Sequence, residues 1–140
     1  MDAHGDVVAL WQRCEGIGLS EADSPAQMRT YLERNLGMSF VAAANSRIVG
    51  AVLCGHDGRR GYIHHLAVDP LFRRQGIGRL LIANALRALG GAGIHKCHIF
   101  IFSDNIAGMK FWKAEGWTVR SEIDLASKEI ETSGSNSSLR

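Results

Sequence analysis

Hydrophobic positions recur at helical spacing in two short segments near the start of the chain. In residues 7–14 the apolar side chains fall three and four positions apart, as they do on one face of a helix. Ser24 and Pro25 read as an N-cap and a first helical residue, and they predict a second helix that runs to about Arg34. Two helices joined by a loop are therefore expected first.

The next three apolar segments are rich in β-branched and aliphatic residues. They cover residues 38–44, 47–54 and 62–68, and short turns at residues 45–46 and 56–58 separate them. Such turns join neighbouring antiparallel strands, so these segments predict a three-stranded meander.

The middle of the chain has the pattern of a β-α-β unit. A glycine-containing turn at residues 73–78 precedes a helix at residues 79–89, which is apolar on most of its faces and should be buried against a sheet. A continuous apolar run at residues 98–102 predicts a strand covered on both faces. A helical crossover leaves that strand parallel to the one at residues 62–68.

The end of the chain completes one domain. Residues 105–115 predict a helix and residues 117–125 a closing strand, after which the sequence becomes polar. We predict a single domain over residues 1–130 and a polar tail over residues 131–140.

Composition and charge exclude several classes of function. The chain has 140 residues, of which 46% are hydrophobic, and a formal charge of +2 that is too small and scattered for a nucleic-acid surface. No apolar run reaches the length of a membrane span, and the N-terminus lacks the order of a signal peptide. We expect a soluble cytoplasmic protein with neither nucleic acid nor membrane as partner.

The cysteines and histidines do not indicate a metal site. Cys14, Cys54 and Cys97 are odd in number, widely spaced and flanked by apolar residues, which is typical of reduced core thiols. The histidines have no cysteine or carboxylate at metal-ligand spacing, so no metal is expected.

The strongest chemical signal is a basic, glycine-containing turn. It reads Arg73-Arg74-Gln75-Gly76-Ile77-Gly78-Arg79. The glycines allow a tight turn, the following helix offers unpaired N–H groups, and guanidinium groups suit phosphate, so a diphosphate fits there. A plain glycine-capped connection stays open as an alternative. The dinucleotide-binding pattern fails at Leu81, and the ATP-type Gly-Lys-Ser/Thr is absent.

Three motifs in order resemble the GCN5-related N-acetyltransferase (GNAT) family. They are Ile63-His64-His65-Leu66-Ala67-Val68-Asp69-Pro70, then Arg73-x-x-Gly76-x-Gly78, then Asn105-x-x-Gly108-x-x-Phe111-Trp112-x-x-x-Gly116-Trp117. The resemblance covers residues 47–117 closely and the two N-terminal helices loosely.

The resemblance implies an α/β (α+β) fold with a mixed, mostly antiparallel central sheet, a splayed parallel strand pair and about four flanking helices. It implies acetyl-CoA as the acetyl donor, with pantetheine on the backbone of residues 66–68 and pyrophosphate on residues 75–79. The coenzyme-binding residues implied are Leu66, Ala67, Val68, Arg73, Arg74, Gln75, Gly76, Ile77, Gly78, Arg79, Asn105, Phe111 and Trp112.

The chain departs from the family at three places. The usual first β-strand is expected to be absent or rudimentary, because few residues precede the first helix. Where the family usually has a tyrosine that protonates the leaving thiolate, this chain has Trp112, whose indole N–H is not an acid at physiological pH. Glu115 is unusual for its position; we expect a solvated side chain at a helix end, and a functional carboxylate near the acyl site is the alternative.

Candidate catalytic groups follow from the chemistry of amine acetylation. His64 and His65 lie on the strand expected to line the cleft and titrate near neutral pH, so either is a candidate base; His64 is slightly preferred. Adjacent strand residues point to opposite faces unless a bulge intervenes. Ser103 and Tyr62 are candidate proton sources for the thiolate. Cys97 is expected to be a core thiol, so direct attack by the amine is favoured.

The acceptor is the least determined feature. A small-molecule amine or amino acid is the first hypothesis, and a protein N-terminus or lysine the second. A non-catalytic coenzyme-A sensor is a further alternative. The acids at residues 15, 21 and 23 are expected to be solvated, and residues 117–125 offer an edge through which a homodimer can form.

Overall fold

The computed structural model describes residues 4–14 and 17–132, which form four α-helices packed on a four-stranded sheet. The helices are α1 His4–Arg13, α2 Pro25–Arg34, α3 Ile77–Gly91 and α4 Ile106–Ala114. The strands are β1 Phe40–Ala44, β2 Arg47–His56, β3 Gly61–Val68 and β4 Cys97–Ile99. All four predicted helices and four of the five predicted strands are thus confirmed, with ends displaced by a few residues.

Local signals in the sequence set the helix ends. The Ser24 hydroxyl accepts a hydrogen bond from the backbone N–H of Gln27 at 3.3 Å, and Pro25 is the first residue of α2, as predicted. The chain is already helical at His4, where the family usually has a strand, while residues 1–3 lie outside the described part.

The sheet has the order β1-β2-β3-β4. Antiparallel pairing joins β1 to β2 and β2 to β3, which confirms the predicted meander. β4 pairs parallel to β3, as the helical crossover through α3 predicts. The mixed sheet with one parallel pair and flanking helices is the expected fold class.

Both faces of the sheet are covered. On one face α3 packs Leu81, Ile82 and Leu89 against β2 and β3. On the other face α1 and α2 contribute a second cluster that contains Leu10, Trp11 and Met28. Because the two central strands are buried on both sides, they form a rigid base for the ends of β3 and β4.

The predicted closing strand at residues 117–125 is wrong. Gly116 adopts a left-handed φ of 93°, and Trp117 N–H bonds back to the carbonyl of Trp112, so α4 ends in a turn. Beyond Trp117 the described residues 118–132 are exposed and contain no strand. Residues 117–125 do largely alternate between apolar and polar side chains. A strand also needs a neighbouring strand that binds its backbone, and the described residues provide none here. The predicted tail falls mostly on residues 133–140, which lie outside the described part.

The three cysteines form no disulfide with one another. They are Cys14, Cys54 and Cys97, of which Cys54 is fully buried. Within residues 4–14 and 17–132, no group of three histidines, cysteines or carboxylates is placed to hold a metal ion. No helix in that same part of the chain is long and apolar enough to cross a membrane.

Candidate functional site

A cavity of about 660 Å³ opens along the second half of β3, between α3 and α4. Most of the residues singled out from the sequence line it. They are His64, His65, Leu66, Ala67, Val68, Arg73, Arg74, Gly76, Ile77, Gly78, Arg79, Asn105, Phe111 and Trp112. Three of the singled-out residues are not among those that line it. Gln75 lies next to Gly76 in the turn, Ser103 is exposed in the turn after β4, and Tyr62 of β3 stacks against His64 and Phe100.

The cavity exists because the parallel strands separate. β3 and β4 pair only from Gly61 with Cys97 to Ile63 with Ile99, and β3 then continues to Val68. Over residues 64–68 the strand is paired to β2 alone within the described chain. Its other edge therefore presents backbone polar groups to the cavity, where an extended ligand can bind them.

The predicted phosphate turn has the backbone of an anion-binding loop. Arg74 and Gly76 both have left-handed φ values, 65° and 81°. Gly76 is the N-cap of α3, and no side chain caps this helix. The first N–H groups of α3 are therefore available to an anion, and the helix dipole favours negative charge at the same place.

Two arginines of the turn already have partners. Arg73 Nε donates to the carbonyl oxygen of Val68 at 3.0 Å. Arg79 forms an ion pair with Glu115, with an Nη2 to Oε2 distance of 3.1 Å and two longer contacts from Nε. Only 14% of the Glu115 side chain is exposed, so the expectation of a solvated helix-end carboxylate was wrong. Glu115, the C-cap residue of α4, lines the cavity beside Arg79.

A β-bulge in β3 determines which way the side chains of His64 and His65 point. Leu53 pairs with His65 while the next residue, Cys54, pairs with Ile63, so His64 is the extra residue of β3. His64 lies against Tyr31 of α2, and His65 lies against Trp11 of α1. Both rings thus point to the face covered by α1 and α2, which an unbroken strand does not allow.

His65 has a carboxylate partner, Asp23, that was expected to be solvated. Its Nε2 lies 3.0 Å from Oδ1 of Asp23, and the two side chains are only 12% and 10% exposed. Ser20 and Asp23 form a capping box, a local pattern that could have indicated Asp23 as an ordered residue. The pairing with His65 has no sequence signal, since 42 positions separate the two residues.

His64 is more open than His65. Its ring packs edge-on to Tyr31 at 5.4 Å and stacks with Tyr62 at 6.3 Å between centroids. These neighbours displace water, and this burial, together with the charge of His65, lowers the pKa of His64 below its ordinary value of 6.5. The lowered pKa of His64 favours its neutral imidazole.

α4 closes the far wall of the cavity. The Asn105 side chain accepts the N–H of Gly108 at 2.9 Å, and its Nδ2 has no acceptor within the described residues. The Asn105 amide covers Gly108 so closely that a Cβ there would overlap it, which explains the spacing of the motif. Phe111 is partly exposed, whereas Trp112 is 6% exposed and packs in the core against Trp117.

Several lining residues had no signal in the sequence. Cys14 and Ile17 reach the cavity from the end of α1 and the loop after it, and Cys14 Sγ donates to the Val68 carbonyl at 3.5 Å. The others are Phe72, Ile99, Phe100, Ile101 and Ala107, while Gly108 belongs to the quoted motif. They are ordinary apolar or small residues whose role depends only on where the strands separate.

Comparison with known proteins agrees with this geometry. The model of the acetyltransferase (GNAT) family matches residues 6–117. The acetyltransferase ECA0875 of Pectobacterium atrosepticum is 31% identical over 125 residues, covering 89% of this chain and 88% of that protein.

Solved structures share the fold at lower identity. The aminoglycoside N-acetyltransferase AAC(6′)-Iy, solved with the bisubstrate analogue CoA-S-monomethyl-acetylneamine, has a TM-score of 0.71 and 19% identity, covering 91% of this chain and 92% of that one. The ribosomal-protein-S18-alanine N-acetyltransferase of Escherichia coli has a TM-score of 0.64 and 21% identity, covering 81% of this chain and 70% of its own. The chain belongs to the GCN5-related N-acetyltransferase family and is an acetyl-CoA-dependent acetyltransferase.

Proposed function

We propose that this enzyme transfers an acetyl group from acetyl-CoA to the primary amine of a small molecule or amino acid. The observation that carries the proposal is one cavity bordered both by the Gly76 turn and by His64 and His65. Three residues of β3, and about 13 Å of extended chain, separate His64 from Val68, and the Gly76 turn follows beyond the end of the strand. The strand thus holds the proton acceptor apart from the anion site.

The donor half of the cavity fits coenzyme A by its own chemistry. The uncapped N–H groups of α3 suit the pyrophosphate, and Arg73, Arg74 and Arg79 add positive charge beside them. The unpaired edge of residues 66–68 suits the amides of the pantetheine arm. Asn105 Nδ2 and Phe111 face the same space, and Gln75 extends the turn.

The acceptor half is the part of the cavity next to His64 and His65, and it supplies the proton transfer. The incoming ammonium must lose a proton before its nitrogen attacks the acetyl carbonyl, and His64 and His65 are the titratable side chains on that side of β3. The C–N bond forms as the C–S bond breaks, the nitrogen gives up its second proton to solvent, and a backbone N–H of residues 66–68 can stabilise the carbonyl oxygen. The thiolate leaves to solvent, because Trp112 has no acidic proton and neither Ser103 nor Tyr62 lines the cavity.

Direct transfer needs no acyl-enzyme. Cys97 does not line the cavity, and it packs beside the apolar core under α3. A ternary complex of acetyl-CoA and amine therefore explains the site with fewer steps.

A small acceptor fits a cavity of about 660 Å³ that must also hold the coenzyme. Ile17, His64 and His65 line its acceptor half. One structural neighbour carries an analogue of an acetylated aminoglycoside, but another acetylates a ribosomal protein. The fold itself thus leaves the acceptor open.

The family match and the folded core support one catalytic domain within residues 1–130. A cytoplasmic location and a homodimer remain predictions.

The test is thiol release from acetyl-CoA over an amine panel. The panel contains aminoglycosides, polyamines and free amino acids, together with peptides that offer an N-terminal alanine or an internal lysine. We expect turnover with a small amine at a kcat/KM at least about tenfold above any peptide. Turnover with peptides alone would assign a protein acceptor, and tight coenzyme binding without any turnover would assign a sensor.

A further inference from the structure

The pair formed by Asp23 and His65 is a largely buried polar contact beside the acceptor half. Oδ1 of Asp23 lies 3.0 Å from Nε2 of His65, and nearly nine-tenths of each side chain is buried. The indole of Trp11 packs edge-on to the imidazole with centroids 4.5 Å apart. The ring is therefore held on one side by a carboxylate and on another by an aromatic wall.

Asp23 is itself held in place. Its second oxygen, Oδ2, accepts the backbone N–H of Ser20 at 3.0 Å, which closes the capping box of the short turn Glu21–Asp23. Its carbonyl oxygen lies 2.7 Å from Nε2 of His4. The loop between α1 and α2 thus presents this carboxylate to β3 in one fixed orientation.

The consequence for His65 is a defined tautomer. An ionised carboxylate can only accept hydrogen bonds, so Nε2 must carry the proton that it receives. Nδ1 then carries the lone pair, and it has no hydrogen-bond partner among the described residues. His65 borders the cavity, so a basic nitrogen is available at the acceptor half.

We infer that Asp23 is the positioning residue of the acetyl transfer, fixing His65 as the proton acceptor for the amine with Nδ1 as the basic atom. This inference rests on the proposed function and deepens it, since it chooses between the two histidines. The proton of the ammonium moves to Nδ1, and the resulting imidazolium is stabilised by the Asp23 carboxylate.

The charges around His65 are consistent with this role. The groups that face it are Asp23 from the loop, His64 from β3 and, beyond Asp23, His4 from α1. The pKa of His64 is lowered by burial and by the charge of His65. Of the two adjacent histidines, only His65 has a carboxylate within hydrogen-bond distance of its ring.

The first experiment compares Asp23→Asn with Glu21→Gln, which removes an exposed acid from the same turn. Asparagine keeps an oxygen for the Ser20 N–H, and the affinity for acetyl-CoA and the Tm report whether the fold survives. We expect Asp23→Asn to lower kcat/KM about 10- to 100-fold, mainly through kcat, and to move the acid limb of its pH profile to lower pH. Glu21→Gln should leave both unchanged, and Asp23→Glu should recover part of the rate.

A merely structural role would lower the rate without moving the pH limb. The second readout needs no acceptor: ¹⁵N chemical shifts of His65 in the full-length protein with acetyl-CoA bound. We expect the Nε2–H tautomer in the wild type and a mixture in Asp23→Asn. An Nδ1–H tautomer in the wild type, or an unmoved pH limb in Asp23→Asn, would overturn the inference. If no amine is acetylated although the Nε2–H tautomer is found, the proposed function has failed instead.

Discussion

The ion pair between Arg79 and Glu115 predicts that this enzyme restrains its own affinity for the coenzyme. Arg79 lies in the first turn of α3, where the pyrophosphate is proposed to bind, yet its guanidinium is held by a carboxylate that lines the same cavity. A bound phosphate must either draw Arg79 away from Glu115 or share it. In both cases Glu115 adds a negative charge beside an anionic ligand.

Replacing Glu115 by Gln should therefore tighten binding of coenzyme A. The size of the effect follows from exposure: 76% of the Arg79 side chain is exposed, so the pair is strongly screened by water. Exposed pairs change equilibria by small factors, and we expect a Kd about two- to fivefold lower. The gain should shrink in high salt, because salt screens exposed charges.

The assay is isothermal titration with coenzyme A at low and high ionic strength. Glu122→Gln is the matched control, because it removes an acid paired with Arg120 at 2.7 Å that does not line the cavity. A Kd in Glu115→Gln that is equal to or higher than that of the wild type would refute the reasoning. Glu115 would then act as a support for Arg79 and not as its competitor.

Three further predictions concern stability and pH. Gly108→Ala should lower the Tm and weaken coenzyme binding, because the new Cβ displaces the Asn105 cap; circular dichroism and titration measure both. Asp69 is buried, and the Leu71 N–H and the Arg13 guanidinium lower its pKa. Asp69→Asn should therefore lower the Tm at pH 7. In thermal melts the Tm difference between wild type and variant should shrink below about pH 4, where the carboxylate of the wild type becomes protonated. The pKa of His64 is lowered in the folded protein, so the unfolded chain binds a proton on this imidazole at a higher pH. The free energy of unfolding should therefore decrease as the pH falls below about 6.5. Thermal melts of His64→Gln should show a smaller decrease in Tm over the same pH range.

Local features of the fold were predictable because their causes are local. The Ser24-Pro25 start of α2, the turn at Gly76 and the crossover through α3 each follow from a few adjacent residues. The linked motifs then indicated which residues meet at the cavity, since motif spacing along β3, α3 and α4 reflects their packing.

Features that depend on distant partners were not predictable. The bulge at His64 depends on the register between β2 and β3, and it places both histidine side chains on the same face of the sheet. Asp23 and Glu115 looked like solvated acids because their partners lie far away in sequence. The predicted strand at residues 117–125 failed for the same reason: alternation gives a segment the capacity to pair but does not provide a neighbour.

The most direct test of the account is isothermal titration of acetyl-CoA into the wild type, Gly76→Asp and Gly58→Asp. Both glycines have positive φ, 81° and 92°, and open space around the missing Cβ, so the two variants carry the same strain and the same added charge. Gly58 lies in the turn between β2 and β3 and does not line the cavity. We predict micromolar binding by the wild type and Gly58→Asp, with a loss of at least about 100-fold in Gly76→Asp. Equal binding by the two variants, or no binding by the wild type, would contradict the claim that this turn holds the coenzyme.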